Sequence, residues 1–131
     1  MVNIKRLDLS SNPLSIQAIN NILGEPKTVR ELNLANTGVT QLPTVLETPF
    51  LKHLNLSGNK LKDFDSNSLT RATLLQDLDI SNNSLSSLEM LALAWPRLPR
   101  LESLFLAHNP IERISEGHLD GLKGKSFSSK I

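Results

Sequence analysis

The stretch from residue 51 to residue 61 reads LKHLNLSGNKL, and its leucines and asparagine stand at spacings that return elsewhere in the chain. Written as L-x-x-L-x-L-x-x-N-x-L, with aliphatic residues accepted for leucine, the pattern also fits stretches that begin at residues 4, 75 and 101, and one from residue 29 that has Thr37 at the asparagine position. Successive starts lie 25, 22, 24 and 26 residues apart. A recurrence at about 20 to 50 residues indicates a repeat architecture.

The L-x-L part of the pattern predicts a short strand in every repeat. Its period of two places Leu54 and Leu56 on one face and Asn55 on the other. A single repeat cannot bury its own apolar face, so neighbouring repeats stack and their strands lie parallel, about 4.8 Å apart. We therefore expect one parallel sheet that has a polar face.

An asparagine follows the predicted strand in four of the five repeats, at the point where the chain must turn. Its side-chain amide both donates and accepts, and it can satisfy backbone groups that the turn removes from water. The second repeat has Thr37 instead, whose hydroxyl can serve only part of this role, so we expect that repeat to be the weaker one. The asparagines are Asn12, Asn59, Asn83 and Asn109.

The segments that return from one strand to the next carry further apolar residues. The first, with isoleucines at helical spacing over residues 16–23 and Gly24 and Pro26 behind them, predicts a helix. The second contains prolines and predicts extended or 3-10 backbone. The fourth is the longest, and we expect one or two helical turns before Pro96. The third shows the predicted back of the core in Leu61, Phe64, Leu69, Ala72 and Leu75.

These five registers resemble the leucine-rich repeat family, over about residues 4 to 122. The resemblance implies an α/β right-handed solenoid with a parallel β-sheet on its concave face. Short helices, 3-10 turns or extended segments would then form the convex face. We accordingly expect a repeat domain over residues 1–122 and a basic, serine-rich tail over residues 123–131.

Composition excludes several classes of protein. The 131 residues suit one domain, and 14 basic against 13 acidic side chains argue against binding nucleic acid, which favours a clear basic excess. Cysteine is absent, so the chain has no disulfide framework and no thiolate metal site. The longest apolar run is far shorter than the roughly 20 residues that span a bilayer, and we expect no direct membrane insertion.

The sequence carries no pattern typical of an enzyme, and we expect neither a cofactor nor a metal site. Gly124-Lys125-Ser126 resembles the end of a phosphate-binding loop, but Leu119 stands where that loop needs its first glycine. The three histidines fall in different repeats and lack the spacing of a helix-borne metal pair.

Candidate binding residues are the strand side chains that the repeat pattern directs to the concave face. One stacked position is predicted to hold alternating charges, which can either satisfy one another or be addressed by a partner. The next is polar except in the fifth repeat, where a phenyl ring can serve as a binding anchor or pack against a neighbour. The candidates are Arg6, Asp8, Glu31, Asn33, His53, Asn55, Asp77, Asp79 and Phe105.

Charge is unevenly distributed along this predicted face. Basic residues of the first three repeats, among them Lys5, Arg30 and Lys52, outnumber the acidic ones there, whereas the last two repeats are acidic. Such a gradient would steer a dipolar partner. The small residues after each strand, Ser10 and its equivalents, predict a shallow track that a partner's backbone could approach.

The pattern and the resemblance together favour a non-catalytic module that binds a protein through its concave face. We expect a fragment of a larger cell-surface or extracellular receptor or adhesion protein. Two alternatives remain at this point: a cytosolic repeat scaffold, and an accessory repeat domain of a larger enzyme. The open ends of the stack also allow end-to-end or edge-mediated self-association.

Overall fold

A computed structural model describes residues 4–23, 28–42, 46–65 and 67–111. The predicted tail over residues 123–131 and the end of the fifth return segment lie outside these residues. Within the four described ranges the chain forms five short strands, two α-helices and one 3-10 helix. In chain order they are β1 (Arg6–Asp8), α1 (Ile16–Leu23), β2 (Glu31–Asn33), β3 (His53–Asn55), β4 (Asp77–Asp79), α2 (Glu89–Ala92), the 3-10 helix (Trp95–Arg97) and β5 (Ser103–Phe105).

The five strands form one parallel sheet in the order of the chain, β1-β2-β3-β4-β5. The register is the one that the repeat pattern predicts, because the central leucines pair from strand to strand along the whole sheet. The parallel solenoid fold is thereby confirmed. The paired leucines are Leu7, Leu32, Leu54, Leu78 and Leu104.

Stacking of the repeats creates the core. Leu54 and Leu78 are 2% and 0% exposed, whereas Leu7, which has a described strand on one side only, is half-buried. The apolar residues predicted for the back of the third repeat are all buried, which confirms that part of the pattern. These are Leu61, Phe64, Leu69, Ala72 and Leu75.

The asparagines of the third, fourth and fifth repeats each connect two turns. Asn83 Nδ2 donates to the carbonyl of Ile80 in its own repeat and to that of Leu56 in the preceding one, both over 3.0 Å. Its Oδ1 accepts the N–H of Leu61, also in the preceding repeat, over 3.1 Å. Asn59 and Asn109 make the corresponding bonds, so the predicted role of the asparagine is confirmed.

Thr37 fills the asparagine position of the second repeat with a smaller set of bonds. Its hydroxyl donates to the carbonyl of Leu34 over 2.8 Å, as an asparagine would from Nδ2. The threonine side chain is shorter than that of asparagine and does not bond the N–H of Leu14 in the first repeat. That N–H donates to the backbone carbonyl of Thr37 instead, over 3.0 Å. That the second repeat is the weaker one stays a prediction.

The helix predicted in the first return segment is present as α1. Ser15 begins it, since its hydroxyl accepts the N–H of Ala18 over 3.1 Å, and Ile19 buries the inner face. The helical turns predicted in the fourth return segment are α2 and the 3-10 helix, which extends one residue beyond Pro96. In the second return segment, the described residues 38–42 and 46–50 contain no helix, as its prolines predict.

Candidate functional site

Three parallel rows of side chains are exposed along the sheet, each with one residue from every repeat. The first residues of the strands form what we call the paired row, and the last residues form the turn row. The residues just before the strands form the edge row. The paired row is Arg6, Glu31, His53, Asp77 and Ser103; the turn row is Asp8, Asn33, Asn55, Asp79 and Phe105; the edge row is Lys5, Arg30, Lys52, Gln76 and Glu102.

The structure brings all nine predicted binding residues together. They line one open depression of about 340 Å³ on the concave face of the sheet, whose floor includes the strand leucines. Because successive strands lie about 4.8 Å apart, one partner segment laid across the sheet could contact side chains from several repeats at once. The nine residues therefore form one continuous surface. Their role in binding stays a prediction.

Charges in the paired row satisfy one another. Arg6 Nε lies 2.5 Å from Glu31 Oε2, and His53 Nδ1 contacts Asp77 Oδ2. His53 Nε2 lies 4.0 Å from Glu31 Oε1, so the imidazole stands between two carboxylates. The self-satisfied ladder considered from the sequence is what the structure shows here. Exposed pairs of this kind are worth about 0–1 kcal/mol each, so they position side chains more than they stabilise the fold.

The turn row has a structural task that the sequence analysis did not assign to it. Asn55 Oδ1 accepts both the N–H and the hydroxyl of Ser57, over 2.9 and 2.7 Å. Asp8, Asn33 and Asp79 accept the N–H two residues further on in the same way. The signal was readable, since aspartate and asparagine often bond the backbone two residues on at the start of a turn.

Hydrogen bonding also changes the acidity of Asp8. The hydroxyl of Ser10 donates to Asp8 Oδ1 over 2.6 Å and the backbone N–H of Ser10 over 3.0 Å. Both bonds favour the ionised form and hold the pKa of the Asp8 carboxyl below its ordinary value, the hydroxyl contributing most. The Asp8 carboxyl therefore keeps its negative charge to a lower pH than an ordinary aspartate does.

The predicted track of small residues after the strands stays a prediction, since four of its five positions are half-buried and one is buried. Ala35 is buried at 7% exposure, and the hydroxyls of Ser10, Ser57 and Ser81 are held by the turn row. A partner approaching here would meet turns whose polar groups are already bonded to one another.

Phe105 differs from the rest of the turn row. It pairs with Asp79 across the sheet, lines the depression and is 39% exposed. A phenyl ring cannot accept the turn hydrogen bond that a carboxylate or amide makes at the equivalent positions. The ring thus presents apolar area at the acidic end of the concave face, where the sequence predicts a binding anchor.

The basic residues of the edge row lie outside the depression. Lys5, Arg30 and Lys52 occupy equivalent positions in three neighbouring repeats, and Lys52 leads directly into β3. The repeat pattern predicted them on the concave face, and it gave no signal for Phe50, which is 49% exposed beside them. A repeat pattern in a single sequence predicts which face a side chain lies on. It does not predict whether a neighbouring charge already pairs with that side chain.

The part of the chain that the structure describes contains no helix long and apolar enough to cross a membrane. Within the same residues, histidine, aspartate and glutamate side chains nowhere form a group of three that could hold a metal ion.

Two models of one protein family match the chain. The one described as "Leucine Rich repeats (2 copies)" matches residues 73–123. The one described as "Leucine Rich Repeat" matches residues 3–25 and 50–72. Together they cover most of the chain and include four of the five strands.

Curated relatives match over most of this chain but only a small part of their own length. Toll-like receptor 9 of Mus musculus is 34% identical over 113 residues, which are 83% of this chain and 11% of the receptor. The transforming growth factor beta activator LRRC32 of Mus musculus is 33% identical over 119 residues, covering 87% and 18%. Asporin of Bos taurus is 29% identical over 111 residues, covering 85% and 29%.

Solved structures share the fold. A leucine-rich repeat protein of Leptospira interrogans superposes with a TM-score of 0.68 and is 26% identical, over 93% of this chain and 30% of that one. The Drosophila melanogaster SNF/U2A' complex contains a chain that superposes with a TM-score of 0.64 at 20% identity, over 86% of this chain and 63% of that one.

Proposed function

We propose that this chain, which belongs to the leucine-rich repeat family, binds a protein partner through the concave face of its sheet. The observation that carries the proposal is the convergence of nine side chains from five repeats on one depression, with the half-exposed Phe105 at one end. A rigid parallel sheet holds these side chains at fixed spacings, which favours recognition of a folded surface.

Phe105 is proposed as the anchor of the interface. Aromatic rings surrounded by polar groups are typical of the residues that carry most of the binding free energy. The paired row and the turn row beside it would supply register and specificity, because their hydrogen bonds and ion pairs fix side-chain positions before the partner arrives.

The proposed setting is the cell surface or the extracellular space, where the chain would be one part of a larger receptor or adhesion protein. In support, the relatives include a Toll-like receptor and an activator of a growth factor, and the chain spans at most 29% of the length of the relatives described above. The partners of those proteins are not assigned to this chain.

The experiment compares two exposed apolar residues. Proteins captured by the wild-type chain from a cell-surface extract are identified and purified, and their affinity is then measured for wild type, Phe105→Ala and Leu93→Ala. Leu93 is 58% exposed in the return segment of the fourth repeat, away from the sheet, and serves as the matched control.

We expect Phe105→Ala to weaken binding by about 1–3 kcal/mol with unchanged unfolding, and Leu93→Ala to bind like wild type. Equal affinities for all three chains would contradict the proposal. So would a Phe105→Ala chain that unfolds readily yet binds normally, since the ring would then belong to the packing of the fold.

A further inference from the structure

Three like charges are stacked at the amino-terminal edge of the sheet. The N–H of Arg30 donates to the carbonyl of Lys5, and that of Lys52 to the carbonyl of Arg30, each over 2.8 Å. These bonds place Lys5, Arg30 and Lys52 in neighbouring positions, about 4.8 Å from one strand to the next. Like charges in directly adjacent strand positions repel one another and destabilise a sheet.

These three cations differ from Arg6, which lies just beside them in the paired row. Arg6 is bound to Glu31, whereas none of the three takes part in an ion pair with any residue in the described ranges. The nearest acidic side chain of the paired row is therefore already engaged. Among the residues that the structure describes, no ion pair neutralises these three positive charges.

An exposed aromatic ring stands beside these charges. Phe50 and Lys52 flank Leu51, which is fully buried, so both project to the outer side of the chain at this edge. Phe50 lines a depression of about 180 Å³ together with Thr28, Lys5 and Arg30. A second depression of about 210 Å³ adjoins it. It is lined by Lys5, Arg30 and Lys52 and, on the side of the concave face, by the paired-row residues Arg6, Glu31 and His53.

We propose that this basic edge, formed by Lys5, Arg30, Lys52 and Phe50, binds an acidic segment of a polypeptide that also carries an apolar side chain. Carboxylates of the segment would pair with the three cations, and its apolar side chain would cover Phe50. The site goes beyond the concave-face proposal, because Lys5, Arg30, Lys52 and Phe50 do not line the depression that contains Phe105.

The length of the basic edge favours a peptide over a nucleic acid. Three strands span about 10 Å, and same-face residues of an extended peptide recur about every 6.7 Å, so two or three carboxylates can be reached by flexible Lys and Arg side chains. Duplex DNA carries one charge about every 1.7 Å and favours a longer basic track. Here the same row ends in Glu102, which would repel a continuing polyanion.

The test uses the full chain and a fluorescently labelled peptide, Gly-Glu-Glu-Phe-Glu-Glu-Gly. The control probe is the same peptide with glutamine in place of each glutamate. Binding is measured by fluorescence anisotropy for wild type, for Arg30→Gln/Lys52→Gln and for Lys60→Gln/Lys62→Gln. The last variant removes the same charge from exposed lysines beyond the other end of β3. A heparin oligosaccharide and a short DNA duplex are titrated in parallel.

We expect Arg30→Gln/Lys52→Gln to weaken peptide binding about threefold to tenfold and the lysine control to leave it within about twofold of wild type. Phe50→Ala should also weaken the binding of this peptide. It should not change the affinity for a peptide in which alanine replaces the phenylalanine. Added salt should weaken wild-type binding, because the pairs are exposed.

Thermal unfolding separates the proposal from simple loss of structure. Since the three cations repel one another, Arg30→Gln/Lys52→Gln should melt at or slightly above the wild-type temperature while binding the peptide more weakly. Equal weakening by both double variants, or tighter binding of heparin or DNA than of the peptide, would overturn the proposal. Phe105→Ala should bind the peptide as wild type does, because Phe105 lies in the depression of the concave face and not at the basic edge. The failure of one proposal can therefore be told from the failure of the other.

Discussion

The first repeat and the fourth carry aliphatic residues and an asparagine at the same positions of the repeat pattern, yet the structure places them in different surroundings. Leu78 is fully buried between two neighbouring strands, whereas Leu7 has a described strand on one side only and is half-buried. Asn83 bonds two turns, whereas among the described residues the side chain of Asn12 bonds only the carbonyls of Leu9 and Ser10 in its own turn. The contribution of a residue therefore depends on how many neighbours its repeat has.

The leucines give the largest test of this difference. Leu78→Ala should lower the free energy of unfolding by about 2–5 kcal/mol, because it removes a fully buried side chain from close-packed neighbours. Leu7→Ala should lower it by about 1–2 kcal/mol, because part of that side chain already meets water. Urea unfolding followed by circular dichroism measures both, and equal losses would contradict a core created by stacking.

The asparagines give a smaller test. Asn83→Ala should lower the free energy of unfolding by about 1–3 kcal/mol, since the N–H of Leu61 loses its buried acceptor. Asn12→Ala should change it by less than about 0.5 kcal/mol, since Asn12 is exposed and water can replace its bonds. Amide hydrogen exchange of Leu61 provides a local readout and should accelerate only in Asn83→Ala. Unchanged melting of that variant would be inconsistent with the role assigned to Asn83.

Asp8 gives the smallest and most local test. Its folded pKa lies below the ordinary value, so the contribution of its bonds to stability is present above the ordinary carboxyl pKa and is lost as pH falls through the folded pKa. Ser10→Ala should raise the Asp8 pKa toward the ordinary value, as followed by NMR titration. Asn33 and Asn55 make equivalent turn bonds without a titrating group, so their turns should not respond to acid in this range. An unchanged Asp8 pKa in Ser10→Ala would show that other groups set it.

The fold was largely predictable because a single repeated pattern encodes it. The central leucines fixed the register, the apolar spacing of residues 16–23 predicted α1, and the asparagine position predicted the bonds between turns. These are periodic signals, and each additional repeat strengthens them.

The placement of the candidate residues and the alternation of charge in the paired row were predictable, whereas which other charges lack a partner was not. Residue direction placed nine side chains on the concave face, as the structure does. The pattern could not show that Lys52 lacks an ion pair in the described part of the chain, because pairing depends on side-chain conformation rather than register. The turn bonds of Asn55 and its equivalents could also have been predicted, because asparagine and aspartate often bond the backbone two residues further on.

The hydrogen bonds of the asparagines also run in one direction. Asn59, Asn83 and Asn109 each serve their own turn and the turn of the repeat before it. Polypeptides leave the ribosome with the amino terminus first, so during translation each coil must wait for the following coil to supply the amide that completes it. We therefore expect assembly from the amino terminus, in which a turn gains its full set of hydrogen bonds only after the next asparagine has been synthesised.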